Sequence, residues 1–378
     1  MFDDLFKFIG ELFEAERIGL HEPCFAGNEI DYLTKTIQSG YVSSVGEYVQ
    51  LFEQAMAEYT GSRFAIATVN GTAALHAGLL ASGVNPGDLV LTQSLTFVAT
   101  ANAIDYCGAA PVFIDVDEDT LGLSPKALKA WLDQHCVLRE GVCYYQKTGQ
   151  RISACLPMHT FGLPARIEEI KTICHDYHLP LVEDAAEALG SKSNGKSLGT
   201  FGHCGIFSFN GNKIITTGGG GMIVTDDEIL ARSLKHITTT AKEDHPWAYK
   251  HDRIGFNYRM PNLNAALGLA QLEQLDTFLD KKQRLTDKYK AFFETREWKF
   301  VTPIEGGNSN NWLNAVVLPT KEIRDQLLAQ SHRNNIFLRP VWNPLHQLSL
   351  FDKSLRDGQK NTNYFSELIV NLPSSVVG

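Results

Sequence analysis

The chain has 378 residues, 44% of them hydrophobic, which is enough to bury one large core and a smaller one beside it. Its formal net charge of -9 argues against nucleic acid or an anionic membrane as the main partner, because such partners need concentrated Lys and Arg side chains. The 7 Cys residues are dispersed and never spaced as C-x-x-C, so neither disulfides nor a metal site is expected, and a reducing, cytoplasmic location is the simpler interpretation.

The first predicted element is an amphipathic helix over residues 1–16, packed on the body of the protein or on a partner subunit. Its apolar residues recur three and four positions apart, and acidic residues interrupt them. A secretion signal has a basic start and an unbroken apolar stretch, and this segment has neither. No later segment is apolar for long enough to span a bilayer, so no membrane partner is expected.

From about residue 60 to 225, short apolar runs alternate with helix-like stretches. The apolar runs predict strands of a sheet that is covered on both faces: Phe64–Val69, Asp88–Thr92, Pro111–Asp117, Ser153–His159, Leu179–Asp184 and Cys204–Phe209. Helices are predicted between them, at Gly71–Ala81, Phe97–Tyr106, Pro125–Leu132 and Ile167–Tyr177. This alternation predicts an α/β fold with a mostly parallel sheet.

The pattern changes near residue 260. Leu263–Phe293 predicts a long helical stretch, and Ala315–Leu318 and Ile336–Arg339 predict strands of a smaller α+β domain. We therefore predict an N-terminal helix (1–16), a large α/β domain (17–255) and a small C-terminal domain (256–378). The cleft between two such domains is a common place for a small-molecule site.

Asp184 stands at the carboxyl end of a predicted strand, where parallel sheets bind their ligands. An ionised carboxylate there could pair with the ring nitrogen of a pyridine cofactor and keep it protonated, so that the ring withdraws electrons. Alternatively, Asp184 caps the following turn. Taken alone, the residue does not distinguish the two interpretations.

Lys213 follows the predicted strand Cys204–Phe209 and precedes four consecutive glycines, Gly218–Gly221. A lysine in this position can bind an aldehyde cofactor as an imine, and glycines let the backbone approach other groups closely. Ser208 supplies a hydroxyl that could bond a phosphate. The alternative is a surface lysine in a flexible loop, and the apolar residues on both sides of Lys213 argue against it.

Three further segments carry candidate binding residues. Gly71 and Thr72 open an Ala-rich helix whose free N–H groups could hold a phosphate, although a well-started helix would look the same. Phe97, just after another strand, could stack on a planar cofactor or belong to the core. Asn257 lies among Asn, Tyr and Arg residues before a helix, in a binding loop or a capped turn.

In chain order, these motifs resemble the DegT/StrS family of pyridoxal phosphate (PLP)-dependent nucleotide-sugar aminotransferases from about Gly19 onward. The order of the segments makes the resemblance specific: Ser43–Gly46, Phe52 with Glu53, Asn70–Thr72, Thr96 with Phe97, Pro111–Asp117, His159–Gly162, Glu183–Ala186, Ser208 and Phe209 with Lys213, and Asn257–Arg259.

The resemblance implies fold type I, a large domain with a mostly parallel sheet plus a smaller C-terminal α+β domain. It implies two catalytic residues, Lys213 as the lysine that holds PLP and Asp184 as the partner of its ring nitrogen. Asn257 matches a residue that reaches the PLP phosphate of the neighbouring subunit, so a homodimer with shared sites is implied. Four other positions match cofactor contacts: Gly71, Thr72 and Ser208 at the phosphate, and Phe97 on the ring.

Glu187 departs from the family pattern, in which Gln or His commonly stands three residues after the aspartate, near the cofactor's phenolic oxygen. An ionised carboxylate beside a phenolate would be repelled. We therefore expect Glu187, if it contacts the cofactor, to be protonated with a raised pKa, or else to be turned away. Gly218–Gly221 also replaces the usual Gly-Glu-Gly-Gly and so removes an acidic side chain.

His236–Lys242 and Tyr258–Gly268 look like the branch of the family that acts in legionaminic-acid and bacillosamine-type pathways of bacterial surface-glycan synthesis. This implies transfer of an amino group from glutamate to C4 of a UDP-linked 4-keto-6-deoxy-N-acetylhexosamine. The alternatives are a nucleotide-sugar 3-aminotransferase, a PLP-dependent sugar dehydratase and a non-catalytic regulator. Lys213 argues against the dehydratases, which carry His at this position, and no segment suited to reading DNA supports a regulator.

Overall fold

The computed structural model describes residues 2–377, so Met1 of the predicted N-terminal helix and Gly378 of the predicted small domain lie outside the described residues. Within 2–377 the chain forms the following α-helices: α1 (Asp3–Phe13), α2 (Glu29–Ser39), α3 (Glu47–Thr60), α4 (Gly71–Ala81), α5 (Val98–Tyr106), α6 (Pro125–His135), α7 (Ile167–Asp176), α8 (Glu228–Thr238), α9 (Asn262–Leu272), α10 (Leu275–Phe293), α11 (Lys321–Arg333) and α12 (Lys360–Leu368).

The strands in the same range are β1 (Phe64–Thr68), β2 (Leu89–Gln93), β3 (Ala110–Ile114), β4 (Cys136–Arg139), β5 (Val142–Tyr145), β6 (Ile152–Leu156), β7 (Val182–Asp184), β8 (Lys192–Ser193), β9 (Lys196–Ser197), β10 (Cys204–Ser208), β11 (Gly221–Thr225), β12 (Lys299–Phe300), β13 (Gly307–Asn308), β14 (Asn314–Val317), β15 (Arg339–Pro340), β16 (Leu355–Arg356) and β17 (Ile369–Leu372).

The large sheet is mostly parallel. One group of strands has the order β1-β11-β10-β7 and the other has the order β16-β3-β2-β6, and two parallel bridges, Cys155–Leu181 and Met158–Asp184, join them. Only β11 runs antiparallel to its neighbours, β1 and β10. The α/β fold class is therefore confirmed, and the parallel strands direct their carboxyl ends toward one edge.

The central strands are buried along almost their full length, since helices cover both faces of the sheet. Helix α4 packs on one face and is hydrophobic nearly all round, with eight of its residues buried. It begins at the N-cap residue Asn70, whose side-chain oxygen accepts a hydrogen bond from the backbone N–H of Ala73 at 2.8 Å. The sequence thus fixes where this helix starts, next to the end of β1.

Two sequence predictions in the last third need correction. The predicted stretch Leu263–Phe293 is two helices, α9 and α10, because the chain turns between Leu272 and Leu275. Of the predicted strand Ile336–Arg339, only Arg339 lies in a strand of the described fold, β15 (Arg339–Pro340). Ile336 makes a single bridge to Ile18, and the strand found there, β15, contains Pro340, which has no N–H to extend a ladder.

The N-terminal helix packs on the last third of the chain. Buried residues of α1, Leu5 and Ile9 among them, share a hydrophobic cluster with Leu285 and Tyr289 of α10 and with strands β14 and β17. Helix α9, in contrast, packs against α2 and α3 beside the large sheet. The predicted domain limits stay a prediction. In the described range, no helix has both the length and the apolar character needed to cross a membrane.

Candidate active site

A cavity of about 340 Å³ opens at the carboxyl edge of the large sheet. It collects residues that follow β1, β2, β7 and β10, together with the loop after β10 and two tryptophans from the last third. Of the eight residues predicted for the site, seven line this cavity: Gly71, Thr72, Phe97, Asp184, Glu187, Ser208 and Lys213. Residues that are far apart in sequence therefore meet in one place.

The first turn of α4 forms one end of the cavity. The backbone N–H groups at the start of a helix have no partner within it, and they carry the positive end of the helix dipole. A Cβ atom added to Gly71 would lie 2.9 Å from the Cβ atom of Ser208, and one added to Gly221 would lie 2.6 Å from the carbonyl carbon of Asn70. Glycine at both positions lets β10 and β11 approach this turn, which leaves a polar cradle suited to a phosphate.

Asp184 ends β7 inside the cavity wall and is buried. Its Oδ2 atom accepts a hydrogen bond from the Thr100 hydroxyl at 2.8 Å, and Oδ1 accepts one from the backbone N–H of Ala186 at 3.2 Å. Burial raises the pKa of Asp184, and the two hydrogen bonds oppose that rise. The carboxylate is thus held in a fixed direction at the cavity, where it could pair with a protonated ring nitrogen.

Lys213 reaches the same cavity from the loop after β10. Its side chain is 13% exposed, and its Nζ atom donates a hydrogen bond to Oε1 of Glu187 at 3.1 Å. The other oxygen of Glu187 accepts a hydrogen bond from the backbone N–H of Phe161 at 2.9 Å. Phe161 holds a left-handed conformation with φ 59° and ψ 14°, which is uncommon for a residue other than glycine. This backbone conformation accompanies the N–H contact with Glu187.

The buried setting of Glu187 agrees with a raised pKa. Desolvation raises the pKa of Glu187, while the positive charge and hydrogen bond of Lys213 lower it. The carboxyl group points to Lys213 and to the backbone of Phe161, and it also lines the cavity. Its role toward a bound molecule stays a prediction.

Asn257 is absent from the residues that line the cavity. It is exposed, and its side-chain oxygen accepts a hydrogen bond from Nε of Arg259 at 3.0 Å. The resemblance implies that Asn257 serves the neighbouring subunit's site, and this role stays a prediction.

Several cavity residues were missed at the sequence level. Thr100 lies one helical turn beyond Phe97, and its position on the inner face of α5 could have been inferred from the spacing. Trp312 and Trp342 come from the last third, and no motif marked them. Their position depends on how that part of the chain packs on the large sheet.

The arrangement fits PLP on three observations. A helix start without Cβ atoms can receive a phosphate, a buried carboxylate can receive a protonated ring nitrogen, and a lysine amine in the same cavity can bond an aldehyde. Phe97, 52% exposed at the rim, offers a ring face. All of these groups come from the described residues of one chain.

Comparison with known proteins agrees with this chemistry. The model of the DegT/DnrJ/EryC1/StrS aminotransferase family matches residues 23–377. EpsN of Bacillus subtilis (strain 168), named for an inferred pyridoxal phosphate-dependent aminotransferase activity, is 38% identical over 353 residues, which is 93% of this chain and 88% of that protein. The GDP-perosamine synthase of Escherichia coli O157:H7 is 37% identical over 341 residues, 89% of this chain and 87% of the synthase.

A solved structure gives the same result. The crystal structure of a DegT DnrJ EryC1 StrS aminotransferase from Brucella abortus superposes with a TM-score of 0.85 at 28% identity. The match covers 92% of this chain and 90% of that one.

Proposed function

Because this chain belongs to the DegT/DnrJ/EryC1/StrS aminotransferase family, we propose that it is a PLP-dependent sugar aminotransferase acting at C4 of a nucleotide-linked 4-keto-6-deoxy sugar. The aminotransferase class and the cofactor follow from the family. The position of amination, the sugar, the nucleotide and glutamate as the amino donor are our proposal. The observation that carries the PLP-dependent chemistry is the meeting of Lys213, Asp184 and the start of α4 in one cavity.

Two substrates are proposed in order. The first is a UDP-linked 4-keto-6-deoxy-N-acetylhexosamine of legionaminic-acid or bacillosamine-type glycan synthesis, supported by the resemblance of His236–Lys242 and Tyr258–Gly268 to that branch. The second is a GDP-linked keto sugar, supported by three GDP-perosamine synthases that are 34–37% identical to this chain. Amination at C3 is the alternative reaction.

The chemistry divides among the residues of the cavity. Bound PLP would supply an electron sink, which would make the Cα proton of the amino donor acidic. Asp184 holds a proton on the ring nitrogen through its carboxylate. Lys213 takes the Cα proton with its amine and returns it at C4′ of the cofactor, as general base and then general acid. Glu187 accepts a hydrogen bond from the same amine and keeps it in the cavity.

The visible spectrum of the purified protein with added PLP tests this proposal. We expect absorbance at about 410 nm, the usual range of lysine-bound PLP, which glutamate then removes. Lys213→Ala is expected to show neither feature, whereas Lys171→Ala, which changes an exposed lysine on α7, retains both. Absence of the band from wild type, or its persistence in Lys213→Ala, would overturn the catalytic assignment.

The choice of substrate has its own test. We expect the pyridoxamine form of the enzyme to aminate the UDP-linked 4-keto-6-deoxy-N-acetylhexosamine at least about tenfold faster than GDP- and dTDP-linked keto sugars. Product position is read by nuclear magnetic resonance of the amino sugar. A preference for the GDP-linked sugar selects the second substrate, and a 3-amino product contradicts reaction at C4.

We also propose a homodimer with shared sites, in which Asn257 contacts the phosphate of the neighbour's PLP. Its exposure outside this chain's own cavity supports the proposal, as do the exposed apolar side chains of Trp247, Tyr249 and Ile254 in the preceding segment. Mixed dimers of Lys213→Ala and Asn257→Ala subunits should regain activity that neither variant has alone, since one site then contains both native residues. No regain on mixing would exclude sharing.

A further inference from the structure

Trp312 connects the last third of the chain to the loop that carries Lys213. Its indole Nε1–H donates a hydrogen bond to the backbone carbonyl of Asn212 at 2.7 Å. Asn212 precedes Lys213 directly, so this bond holds the backbone from which the lysine side chain extends. The indole N–H is the only hydrogen-bond donor of that side chain, and it bonds the loop that carries Lys213.

The backbone of Trp312 is fixed as well. Its N–H donates to Oδ1 of Asn310 at 2.9 Å, and its carbonyl accepts a hydrogen bond from Nζ of the buried Lys282 at 3.2 Å. Asn310 in turn donates through Nδ2 to the backbone carbonyl of Glu187 at 2.8 Å. One short segment therefore anchors both residues of the Lys213–Glu187 pair. Because Trp312 as a whole residue is 3% exposed, the ring has little freedom to move.

The ring face of Trp312 receives the Lys213 amine. The Nζ atom lies 4.1 Å from the ring centroid, well within the range in which an ammonium group is attracted to an indole. The same nitrogen also contacts Oε1 of Glu187 at 3.1 Å. A largely buried setting strengthens both interactions relative to water.

We propose that Trp312 is a positioning residue for Lys213, holding the lysine loop with its indole N–H and the free amine with its ring face. The inference rests on the proposed catalytic role of Lys213. Whenever the amine is not bonded to the cofactor, Trp312 and Glu187 keep it inside the cavity instead of letting it turn to solvent. Loss of Trp312 therefore slows proton transfer by Lys213 and leaves binding of the amino donor nearly unchanged.

The contact is measured first without cofactor, by a double-mutant cycle of Lys213→Met and Trp312→Leu in urea unfolding. We expect the two residues to be coupled by roughly tenfold in the ratio of folded to unfolded protein, the size of a partly buried cation–π contact. Coupling within about twofold of zero effect would show that the ring does not hold the amine.

The kinetic test follows, in a single turnover, the glutamate half-reaction, which is the transfer of the amino group from glutamate to the cofactor. We expect Trp312→Leu to be about 30-fold slower and Trp312→Phe, which keeps a ring face but no N–H, about fivefold slower, with the glutamate concentration at half-maximal rate changed less than twofold. Trp131→Phe, a buried tryptophan stacked on Tyr145 away from the cavity, serves as the control and should match wild type.

Each outcome separates the inference from the proposed function. Should Trp312→Leu fail to fold, a fivefold loss in Trp312→Phe at an unchanged melting temperature still supports positioning. Wild-type rates in Trp312→Phe and Trp312→Leu, or a loss that lies wholly in glutamate binding, overturn the inference alone. Retention of lysine-bound PLP in Lys213→Met overturns the proposed function instead, because Lys213 would then not be the residue that bonds the cofactor.

Discussion

The cavity has two unlike sides. What we call the strand-end side, Gly71, Thr72, Asp184 and Ser208, offers backbone N–H groups, a hydroxyl and a buried carboxylate. The tryptophan side, Trp312 and Trp342, comes from the last third and offers ring faces. The strand-end side has the groups that match the charges of a cofactor. The tryptophan side has apolar surface that restricts the position of a molecule bound between the two sides. Lys213 stands where the two meet, so both sides act on it.

Lys282 is buried next to Trp312, and the stability of the tryptophan side can be measured through its ionisation. Burial lowers the pKa of Lys282 from 10.5 to about 7, and its described hydrogen bonds go to the carbonyls of Trp312 and Ser374. The unfolded chain binds a proton at this lysine up to about pH 10.5 and the folded chain only up to about pH 7. Wild type should therefore gain roughly 3 kcal/mol of stability from this group as pH rises from 7 to 10.

Lys282→Met removes that gain while keeping a side chain of similar length. The measurement is the free energy of unfolding by urea at several pH values between 7 and 10, wild type against variant. Lys290→Met, an exposed lysine on the same helix, should leave the pH dependence as it is in wild type. Parallel curves for wild type and Lys282→Met would mean that the buried amine is not desolvated.

Gly71→Ala attacks the strand-end side at the start of α4. The new Cβ atom would meet the Cβ of Ser208 at 2.9 Å and its hydroxyl at 3.1 Å, which forces the phosphate cradle apart. We expect PLP to bind about 100-fold more weakly, the loss of roughly two hydrogen bonds to a charged group. Equilibrium titration of the visible band measures it.

Gly211→Ala is the matched control for that measurement, since a Cβ atom added there meets nothing within 4 Å. It lies in the loop of Lys213 but does not line the cavity. Equally weakened PLP binding in the two variants would point to a general effect of added methyl groups in this part of the fold, and wild-type affinity in Gly71→Ala would contradict the role of Gly71 in the cradle.

Thr100→Val removes the hydroxyl that bonds Asp184 and keeps the shape of the side chain. Thr100 also lies 2.8 Å, oxygen to oxygen, from the hydroxyl of Thr96, so the two hydroxyls form a buried chain that ends at the carboxylate. We expect the glutamate half-reaction to slow about tenfold, because the carboxylate loses a bond that favours its ionised form. Thr100→Ser should restore most of the rate. A wild-type rate in Thr100→Val would assign the orientation of Asp184 to the backbone N–H of Ala186 alone.

The two sides also differ in how far the sequence predicts them. Strand ends were largely predictable, because apolar runs mark the buried strands. Asp184 closes one predicted run, and Ser208 is the second-last residue of another, Cys204–Phe209, although the observed strand β10 ends at Ser208 itself. The glycine at position 71 indicates that another group approaches the backbone closely there, but the sequence does not predict which atom does so. Trp312 could not be placed, since its contact with Lys213 joins residues 99 positions apart in sequence through packing that no local pattern records. The break between α9 and α10 was also missed. Both helices have helical spacing of their apolar residues, so no local pattern marks the turn between them.

Glu187 lies beside Lys213, and its substitution should have the smallest effect. Desolvation raises the pKa of Glu187 above its usual 4.5. Above pH 4.5 the unfolded chain has therefore lost a proton that the folded chain still holds. The carboxyl group then destabilises the fold progressively, as pH rises toward the pKa that Glu187 has in the folded protein. Glu187→Gln should therefore gain stability relative to wild type as pH rises above 4.5, by roughly 2 °C in melting temperature of the cofactor-free protein, since loss of the Lys213 contact offsets part of the gain. Thermal unfolding at intervals across this range measures it. If the difference in melting temperature between wild type and Glu187→Gln does not change with pH, the carboxyl group of Glu187 is ionised throughout. Its contact with Lys213, and not protonation, would then stabilise it in the cavity.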